Sequence, residues 1–404
     1  MHKISKEKAI RMFLYRQNLY YEPKLQGKEG IIRILEDLGL IQIDTINIFS
    51  RSHNLVFHSR LKSYKESDLI ELYQERQVFE SYVHAMSLLP TNQFKYTSHR
   101  LFEFKQSLFV KLSKEEIDFI LSVYHLILTS NPLTTKEISE HFYTTKTDLA
   151  NWEMSPVRSA LDSLWRSGMV QVIRDLKFNK LYIPSDTCEK NEMEVFNFEE
   201  TYSYYCISAL KSMGIASAKD IADYYRIKLN IVNQTITRLI EKNVIKPINI
   251  EHVTELFYIL EVDQDFIFGN TLNDEPQHMS FLSPFDNLIW YRIRLMNLFE
   301  VDYRLESYLP KNQRKYGYYA LPILIKGKII GTIDLKLDKK LNVLFIENLF
   351  FYNSFDAAYY KNEFEILIKK YMDIFNIKNL KISNDFWEKV NYGQTLNKLI
   401  EAII

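Results

Sequence analysis

The chain has 404 residues, of which 47% are hydrophobic and 25% charged, and its formal net charge is zero. At ~150 residues per domain this length predicts about three domains, and the composition excludes a disordered or low-complexity chain. The zero net charge excludes a global field that attracts nucleic acid, so any phosphate-binding surface must be a local patch. With only two cysteines, Cys188 and Cys206, a disulfide framework and a cysteine zinc site are also excluded.

Neither a targeting signal nor a cofactor motif is found in the sequence. The first eight residues lead into no apolar segment typical of a signal peptide. No run of about 18 apolar residues occurs, so no membrane span is expected. The nine histidines show no spacing typical of metal ligands, and we expect neither a metal nor another cofactor. These features predict a soluble, cytoplasmic protein.

The first predicted domain, residues 1–112, contains a strand over residues 39–48 that carries the strongest candidate site. Side chains alternate along a strand, so Gln42 and Asp44 are expected on one face. After Asp44 the apolar positions slip by one residue, which predicts a bulge or a bend beside this carboxylate. An amide and a carboxylate next to a distortion are a candidate catalytic pair, the alternative being the polar outer face of an ordinary strand. Helices of this domain are predicted over residues 5–17, 28–38 and 67–74.

A second informative stretch of this domain is apolar and aromatic and ends at a proline. It covers residues 78–90 and predicts one strand, which a helix over residues 91–110 follows. His84 is the only histidine in the stretch. A lone histidine in such a run is either a hydrogen-bonded core residue or a site residue, and the pattern leaves both readings open.

Two further predicted domains, residues 113–190 and 191–275, repeat one supersecondary unit. Residues 134–137 have the pattern of a helix-capping box, and the stretch that begins at Ser217 mirrors it. Each capping box is followed by a second helix and two strands, which predicts a helix-turn-helix with a β-hairpin wing. The first domain joins the set because residues 39–43 echo residues 168–172. Three tandem winged-helix units are therefore predicted.

The last predicted domain, residues 276–404, is a small antiparallel sheet or open barrel with terminal helices. Between Lys311 and Lys340 it carries eight Lys or Arg residues and two Asp residues. Such a basic face can hold a phosphate backbone, with Lys311, Arg314 and Lys315 as candidate contacts, the alternative being a solvated sheet face. The fold class is thus α+β and mainly α. Strands are predicted over residues 303–309, 318–325, 329–337 and 343–350, and a long helix over residues 353–375, before a short strand and a helix.

Three groups of residues together resemble the AlkZ/YcaQ (AlkX) family of winged-helix DNA glycosylases, over nearly the whole chain. The groups are Gln42-Ile43-Asp44 with Arg51-Ser52-His53-Asn54 and Ser59-Arg60-Leu61; Phe79-Glu80 with His84, Ser87 and Leu88-Leu89-Pro90; and the run from Leu282 to Leu288 with Tyr303 to Glu306, Tyr308-Leu309-Pro310, Gly317-Tyr318-Tyr319 and Asp334-Leu335-Lys336. The resemblance implies that Gln42-Ile43-Asp44 is the catalytic triplet of the YcaQ-like branch, which is associated with unhooking of DNA interstrand crosslinks. The chain departs from the family pattern at Ala85, where an acidic residue commonly follows the histidine, and at Ser81-Tyr82.

The chemistry expected of this family fits the two polar residues of the triplet, Gln42 and Asp44. An N7-alkylated guanine is cationic and already a good leaving group, so a carboxylate at Asp44 can stabilise the cationic sugar while Gln42 orients water. Arg51, His53 and Arg60 are candidates near the lesion, with His84 as a further candidate. The expected partner is double-stranded DNA with alkylated purines or crosslinks, and no protein partner is expected. The alternative is a non-catalytic winged-helix DNA-binding protein or transcriptional regulator, for which a carboxylate facing a polyanion has no use.

Overall fold

The computed structural model describes residues 2–143, 156–185, 197–269, 271–352 and 359–383. The helices are α1 (Lys6–Arg16), α2 (Gly27–Leu38), α3 (Ser52–Arg60), α4 (Glu66–Gln74), α5 (Phe94–Lys111), α6 (Lys114–Ser130), α7 (Thr135–Phe142), α8 (Pro156–Arg166), α9 (Phe198–Met213), α10 (Ala218–Tyr225), α11 (Leu229–Glu241), α12 (Gln264–Phe268), α13 (Arg292–Arg294) and α14 (Lys361–Ile374). The strands are β1 (His2–Ile4), β2 (Ile41–Gln42), β3 (Val78–Tyr82), β4 (Met86–Pro90), β5 (Leu133–Thr134), β6 (Val170–Arg174), β7 (Lys180–Pro184), β8 (Ala216–Ser217), β9 (Ile245–Ile250), β10 (Phe257–Leu260), β11 (Met279–Phe281), β12 (Ala320–Ile325), β13 (Lys328–Asp338), β14 (Val343–Phe351) and β15 (Asn379–Ile382). The predicted class, α+β and mainly helical, is confirmed.

The chain divides into two compact units. The first unit contains residues 1–26, 41–64 and 208–404, and the second contains residues 27–40 and 65–207. The predicted domain of residues 113–190 falls within the second unit, whereas residues 1–112 contribute to both units. No helix in the described part of the chain is long and apolar enough to cross a membrane.

The second unit contains a winged helix made of α6, β5, α7, α8, β6 and β7, with the strand order β5-β7-β6. Thr134 caps α7 through a capping box with Glu137, as the sequence pattern predicted. Helix α8 places apolar side chains three and four residues apart on its buried face, among them Leu161 and Leu164. The predicted helix-turn-helix with a hairpin wing is confirmed here, although the predicted cap Ser155 lies outside the described residues, as does Cys188.

The predicted repeat of this winged helix is also confirmed. Helix α9 precedes β8, α10, α11, β9 and β10, and the sheet has the strand order β1-β9-β10-β8. Ser217 caps α10 through a capping box whose partner is Asp220. Strand β1 adds to this sheet by pairing in parallel with β9, an edge that the sequence did not predict.

The first copy has the same element order, namely α2, β2, α3, α4, β3 and β4. Strand β2 therefore corresponds to β5 and β8, and its predicted equivalence with the wing strand β6 is wrong. The echo arises because Gly39 and Gly168 each end a helix in the left-handed region, with a φ of 75°, before an aliphatic run. Of the strand predicted over residues 39–48, only Ile41–Gln42 is found, and residues 43–51 separate β2 from α3.

Residues 78–90 form a hairpin of β3 and β4 with a turn at residues 83–85, so the predicted single strand is wrong. The predicted helix after this stretch is confirmed as α5, which a 3₁₀ turn over Thr91–Gln93 precedes. The turn contains neither glycine nor proline, so it carries none of the residues that usually announce a hairpin.

A five-stranded sheet with the order β11-β12-β13-β14-β15 forms the core of the first unit together with α14. The pairs from β11 to β14 are antiparallel, as predicted, but β15 pairs with β14 in parallel. The predicted strand over residues 303–309 is wrong, because these residues form a loop without ladder pairing. Of the predicted helix over residues 353–375, α14 is confirmed and residues 353–358 lie outside the described residues. The terminal helix also lies outside them.

Candidate active site

Residues 43–51, called the Asp44 segment below, form an irregular part of the first unit that the core holds at several points. Ile43 is buried, Ile46 packs against the core under the five-stranded sheet, and Phe49 lies inside that core. The carbonyl of Ile48 accepts a hydrogen bond of 3.3 Å from the backbone of β13. These anchors fix the segment although it belongs to no regular element.

Asp44 lies between two of these anchors and is partly exposed. Its Oδ1 atom accepts the backbone N–H of Ile46 at 2.8 Å, a local turn that aspartate commonly forms. Among the described residues, no basic side chain forms an ion pair with Asp44. Gln42 ends β2 two residues earlier and is also partly exposed. The carboxylate is therefore held in place by the backbone and is accessible to water.

Helix α3 and residues 282–288 are joined at both ends of the helix. The hydroxyl groups of Ser52 and Ser283 lie 2.8 Å apart, and both side chains are fully buried. At the other end, Arg60 donates two hydrogen bonds to the Asp286 carboxylate, at 2.7 and 2.8 Å. Two stretches that are more than 200 residues apart in sequence are thereby combined into one assembly that begins directly after the Asp44 segment.

Arg60 is one of the predicted site residues that lie fully inside the first unit. It is 1% exposed, and its Nε atom donates to the carbonyl of Gln17 at 2.8 Å. The prediction that Arg60 contacts the lesion thus finds no exposed guanidinium, because the group is paired with Asp286 inside the unit. His53 is buried within α3, whereas Arg51 immediately precedes the helix and is partly exposed.

Tyr319 adds a third hydroxyl group beside Ser52 and Ser283. Its side chain is buried immediately before β12, with the phenol next to the two serine hydroxyls. Burial raises the pKa of Tyr319 well above its ordinary value, and the negative charge of Asp44 raises this pKa further. The phenol therefore stays protonated at neutral pH, so the group near Asp44 is an O–H donor and not a competing anion.

The three predicted basic contacts of the sheet domain lie in the loop before β12. Lys311 and Lys315 are exposed, and Arg314 is partly exposed. The guanidinium of Arg314 lies 4.8 Å from the ring centroid of Tyr318, which holds the cation over an aromatic face. The structure therefore places these cations together on a loop and not on a sheet face.

His84 lies in the second unit, buried in the turn between β3 and β4. Its neighbour in the family motif, Glu80, accepts two hydrogen bonds from Arg174, at 2.6 and 2.8 Å, and a third from the Tyr73 hydroxyl at 2.8 Å. Glu80 thereby ties the hairpin to the wing strand β6, which is a structural role. Neither His84 nor any other described residue belongs to a group of three or more His, Cys, Asp or Glu side chains that could hold a metal ion.

Four residues of this assembly belong to the sequence motifs, but the sequence alone assigned them no role, namely Ser52, Ser283, Asp286 and Tyr319. One signal was present, because Arg60 and Asp286 are charged residues in otherwise apolar surroundings, and such residues are rarely buried unless they are paired. The serine and tyrosine hydroxyls carry no comparable signal, since their proximity depends on contacts between distant segments.

His58 in α3 makes the stability of the first unit sensitive to acid. Its ring lies about 5 Å from those of Tyr64 and Phe375, and burial lowers the pKa of His58 to about 4 from an ordinary value of 6.5. Between pH 6.5 and 4 the unfolded chain therefore binds a proton at His58 that the folded chain does not bind. The free energy of unfolding should fall over this range, by up to about 3 kcal/mol. Urea unfolding at several pH values should show that the free energy of unfolding falls less on acidification in His58→Phe than in the wild type. The exposed control His141→Phe should lose as much as the wild type. Equal losses in all three proteins would contradict this assignment.

The chain is similar to known proteins both in sequence, through a family model, and in fold, through a solved structure. The family model "DNA glycosylase AlkZ-like" matches residues 35–354 of the chain. Among solved structures, the DNA glycosylase AlkZ of Streptomyces sahachiroi superposes with a TM-score of 0.62 at 11% sequence identity, covering 94% of this chain and 99% of that chain. At this identity the second match shows the fold alone. The family match includes β2, the Asp44 segment, α3 and most of the five-stranded sheet, and it shows that the chain belongs to the AlkZ-like family of DNA glycosylases and is a DNA-repair enzyme acting on DNA.

Proposed function

We propose that this glycosylase hydrolyses the N-glycosidic bond of cationic N7-alkylguanine lesions in double-stranded DNA, including the unhooking of interstrand crosslinks. The observation that carries the proposal is the Asp44 carboxylate, which is partly exposed and held by the Ile46 amide. A family of DNA glycosylases needs a group that stabilises a cationic sugar, and a preorganised carboxylate is such a group. Family membership also favours this function over the alternative of a non-catalytic regulator.

The proposed step requires no strong acid. The bond between C1′ of the deoxyribose and N9 of the alkylated purine breaks, and its electron pair stays with the base, which leaves as a neutral molecule. The sugar becomes an oxocarbenium-like cation, which the Asp44 carboxylate stabilises as it forms. Water then attacks C1′, and its proton passes to Asp44 or to solvent. The products are a free base and an abasic site.

Gln42 is proposed to orient the attacking water. A glutamine amide offers both a donor and an acceptor, so it can hold a water molecule in one orientation. Its position at the end of β2, two residues before Asp44, supports this role because the strand backbone restrains the side chain.

The hydroxyl groups of Ser52, Ser283 and Tyr319 are proposed to hold the surroundings of Asp44 rigid. Preorganised groups stabilise a transition state without reorganising when charge develops, so a fixed environment increases the effect of the carboxylate. Arg60 and His53 are proposed to support α3 from inside the unit.

Contacts with the DNA backbone are proposed for the exposed basic groups. Lys311, Arg314 and Lys315 lie together on one loop, and Arg51 precedes α3. Phosphate contacts of this kind position a duplex without reading its sequence. His84 stays a candidate DNA contact of the second unit.

The test uses an oligonucleotide duplex with either one N7-methylguanine or one nitrogen-mustard crosslink. After incubation with the protein, heating in alkali breaks the strand at each abasic site, and gel electrophoresis measures the breaks. We expect breaks at the modified guanine with both substrates. No breaks above the protein-free background at stoichiometric protein, with either adduct, would contradict the proposal.

Gln42→Ala is expected to slow base release about 10- to 100-fold, because a misplaced nucleophile loses the benefit of orientation. Duplex affinity should not change, since the amide carries no charge. The matched control is Gln171→Ala, which removes a partly exposed glutamine from the wing strand β6 of the second unit. Single-turnover release from the N7-methylguanine duplex measures both variants. Equal rates for the two variants would remove Gln42 from the mechanism.

A further inference from the structure

Tyr308 is the most exposed large hydrophobic or aromatic side chain in the described part of the chain, at 89%. It lies in a tight turn, in which the N–H of Leu309 donates to the carbonyl of Glu306 at 2.9 Å. The guanidinium of Arg314 then donates to the carbonyl of Leu309 at 2.8 Å. Tyr308 is therefore at the tip of a turn whose backbone is hydrogen-bonded on the side that follows it.

The loop that carries this turn, residues 303–319, is fixed by two buried carboxylates. Glu306 accepts the backbone N–H of Tyr316 at 2.7 Å, and Asp334 accepts that of Tyr318 at 2.6 Å. At Gly317, with a φ of 125°, an added Cβ would lie 2.3 Å from the Asp334 carboxylate, so only glycine fits there. Desolvating two carboxylates is costly unless they are hydrogen-bonded, so the loop is built to hold one conformation.

The exposed surface of this loop is basic. Residues 303–319 contain four basic side chains and one acidic side chain, Glu306, which is buried and faces Arg304 at 3.3 Å. The cations Arg304, Lys311 and Lys315 are exposed. An aromatic tip among exposed cations is the combination that proteins use to stack on nucleobases while holding the phosphate backbone.

The loop also ends at the candidate active site. Its last residue is Tyr319, whose buried ring lies 6.4 Å, centroid to centroid, from the ring of Phe285. Phe285 follows Ser283 by two residues, and the Ser283 hydroxyl lies 2.8 Å from that of Ser52, at the start of α3 directly after the Asp44 segment. DNA that reaches Asp44 is therefore brought close to one end of the loop.

We propose that Tyr308 is a stacking residue that inserts against an unstacked base next to the lesion and stabilises an opened duplex. This inference deepens the proposed function and rests on it for the location of the reacting sugar. A rigid loop keeps the ordering cost of insertion low, because the aromatic side chain is already presented before DNA binds. The ligand is a nucleobase of the duplex, read by its flat face and not by its hydrogen-bonding edge.

The test uses a duplex with a tetrahydrofuran abasic analogue next to 2-aminopurine, whose fluorescence rises when it unstacks. This product analogue has no base to release, so the result does not depend on which lesion the enzyme prefers. Wild-type protein should raise the fluorescence on binding. Tyr308→Ala should abolish the rise and weaken affinity about 10-fold or more, with an unchanged dependence of affinity on salt, because no phosphate contact is lost. Tyr308→Phe should keep both properties, since it keeps the ring.

Two control variants separate stacking from other effects. Tyr359→Ala removes another exposed tyrosine of the first unit, 74% exposed, and should behave like the wild type. Lys315→Ala should retain the fluorescence rise while lowering the salt slope by about one. The proposal is overturned if Tyr308→Ala matches the wild type, if Tyr308→Phe is as impaired as Tyr308→Ala, or if Tyr308→Ala changes only the salt slope. If Tyr308→Ala loses stacking as expected but the wild type releases no base from the N7-methylguanine duplex, the proposed function is refuted and the stacking role is not.

Discussion

Asp44→Asn is expected to slow base release by at least about 100-fold, because it removes the charge that stabilises the cationic sugar in the transition state. Asparagine keeps an oxygen at the position that accepts the N–H of Ile46 at 2.8 Å, so the segment should retain its conformation. Duplex affinity should stay the same or increase, since a negative charge that repels phosphate is lost. Single-turnover strand breakage measures release, and fluorescence anisotropy of a labelled duplex measures binding.

The matched control is Asp338→Asn. Asp338 lies at the end of β13, and its Oδ1 atom accepts the backbone N–H of Lys340 at 2.9 Å, two residues ahead, as Asp44 does with Ile46. The same chemical change in the same kind of turn should leave release unchanged. If both variants lose activity equally, the loss reflects the turn and not the charge, and the role given to Asp44 fails.

Arg60→Met is expected to lower the free energy of unfolding of the first unit by about 3–5 kcal/mol, because it leaves the Asp286 carboxylate buried without its cation. Both side chains of the pair are completely buried, and Arg60 donates two hydrogen bonds to Asp286. The variant also loses the hydrogen bond from Arg60 to the carbonyl of Gln17. Urea unfolding followed by circular dichroism measures the change.

The double variant Arg60→Met/Asp286→Leu should recover most of the lost stability, since replacing both charges with apolar groups leaves no unpaired charge. Arg33→Met is the surface control, because Arg33 pairs with Asp37 on α2 with most of its side chain exposed, and the expected cost is below about 1 kcal/mol. A cost for Arg60→Met as small as that of Arg33→Met would show that the buried pair does not hold α3 in place.

Features that depend on neighbours in sequence were predictable. The capping boxes at Thr134 and Ser217 were identified by residue type and spacing, and with them the second and third winged helices. Glycine at the end of α2 was equally clear, but it also produced the false equivalence between β2 and β6. Helices α2 and α8 both end at a glycine and are followed by similar sequences, although β2 and β6 occupy different places in the fold.

Features that depend on distant contacts were not predictable. Residues 303–309 alternate as a strand does, yet the loop follows from the burial of Glu306 and its hydrogen bond to Tyr316. The candidate site likewise contains residues found from a local pattern and residues brought in by distant contacts. Gln42 and Asp44 were found from a local pattern, whereas the hydroxyl groups of Ser283 and Tyr319 reach α3 only through the folding of the sheet domain.

The most direct test of Asp44 as the functional anion is mass-spectrometric detection of free 7-methylguanine released from a duplex by equimolar protein. The wild type should release the base from every modified duplex, leaving an intact abasic strand before alkali is added. Asp44→Asn, bound to the same duplex to the same extent, should release no more base than spontaneous depurination does. Equal release by the two bound proteins would contradict the account.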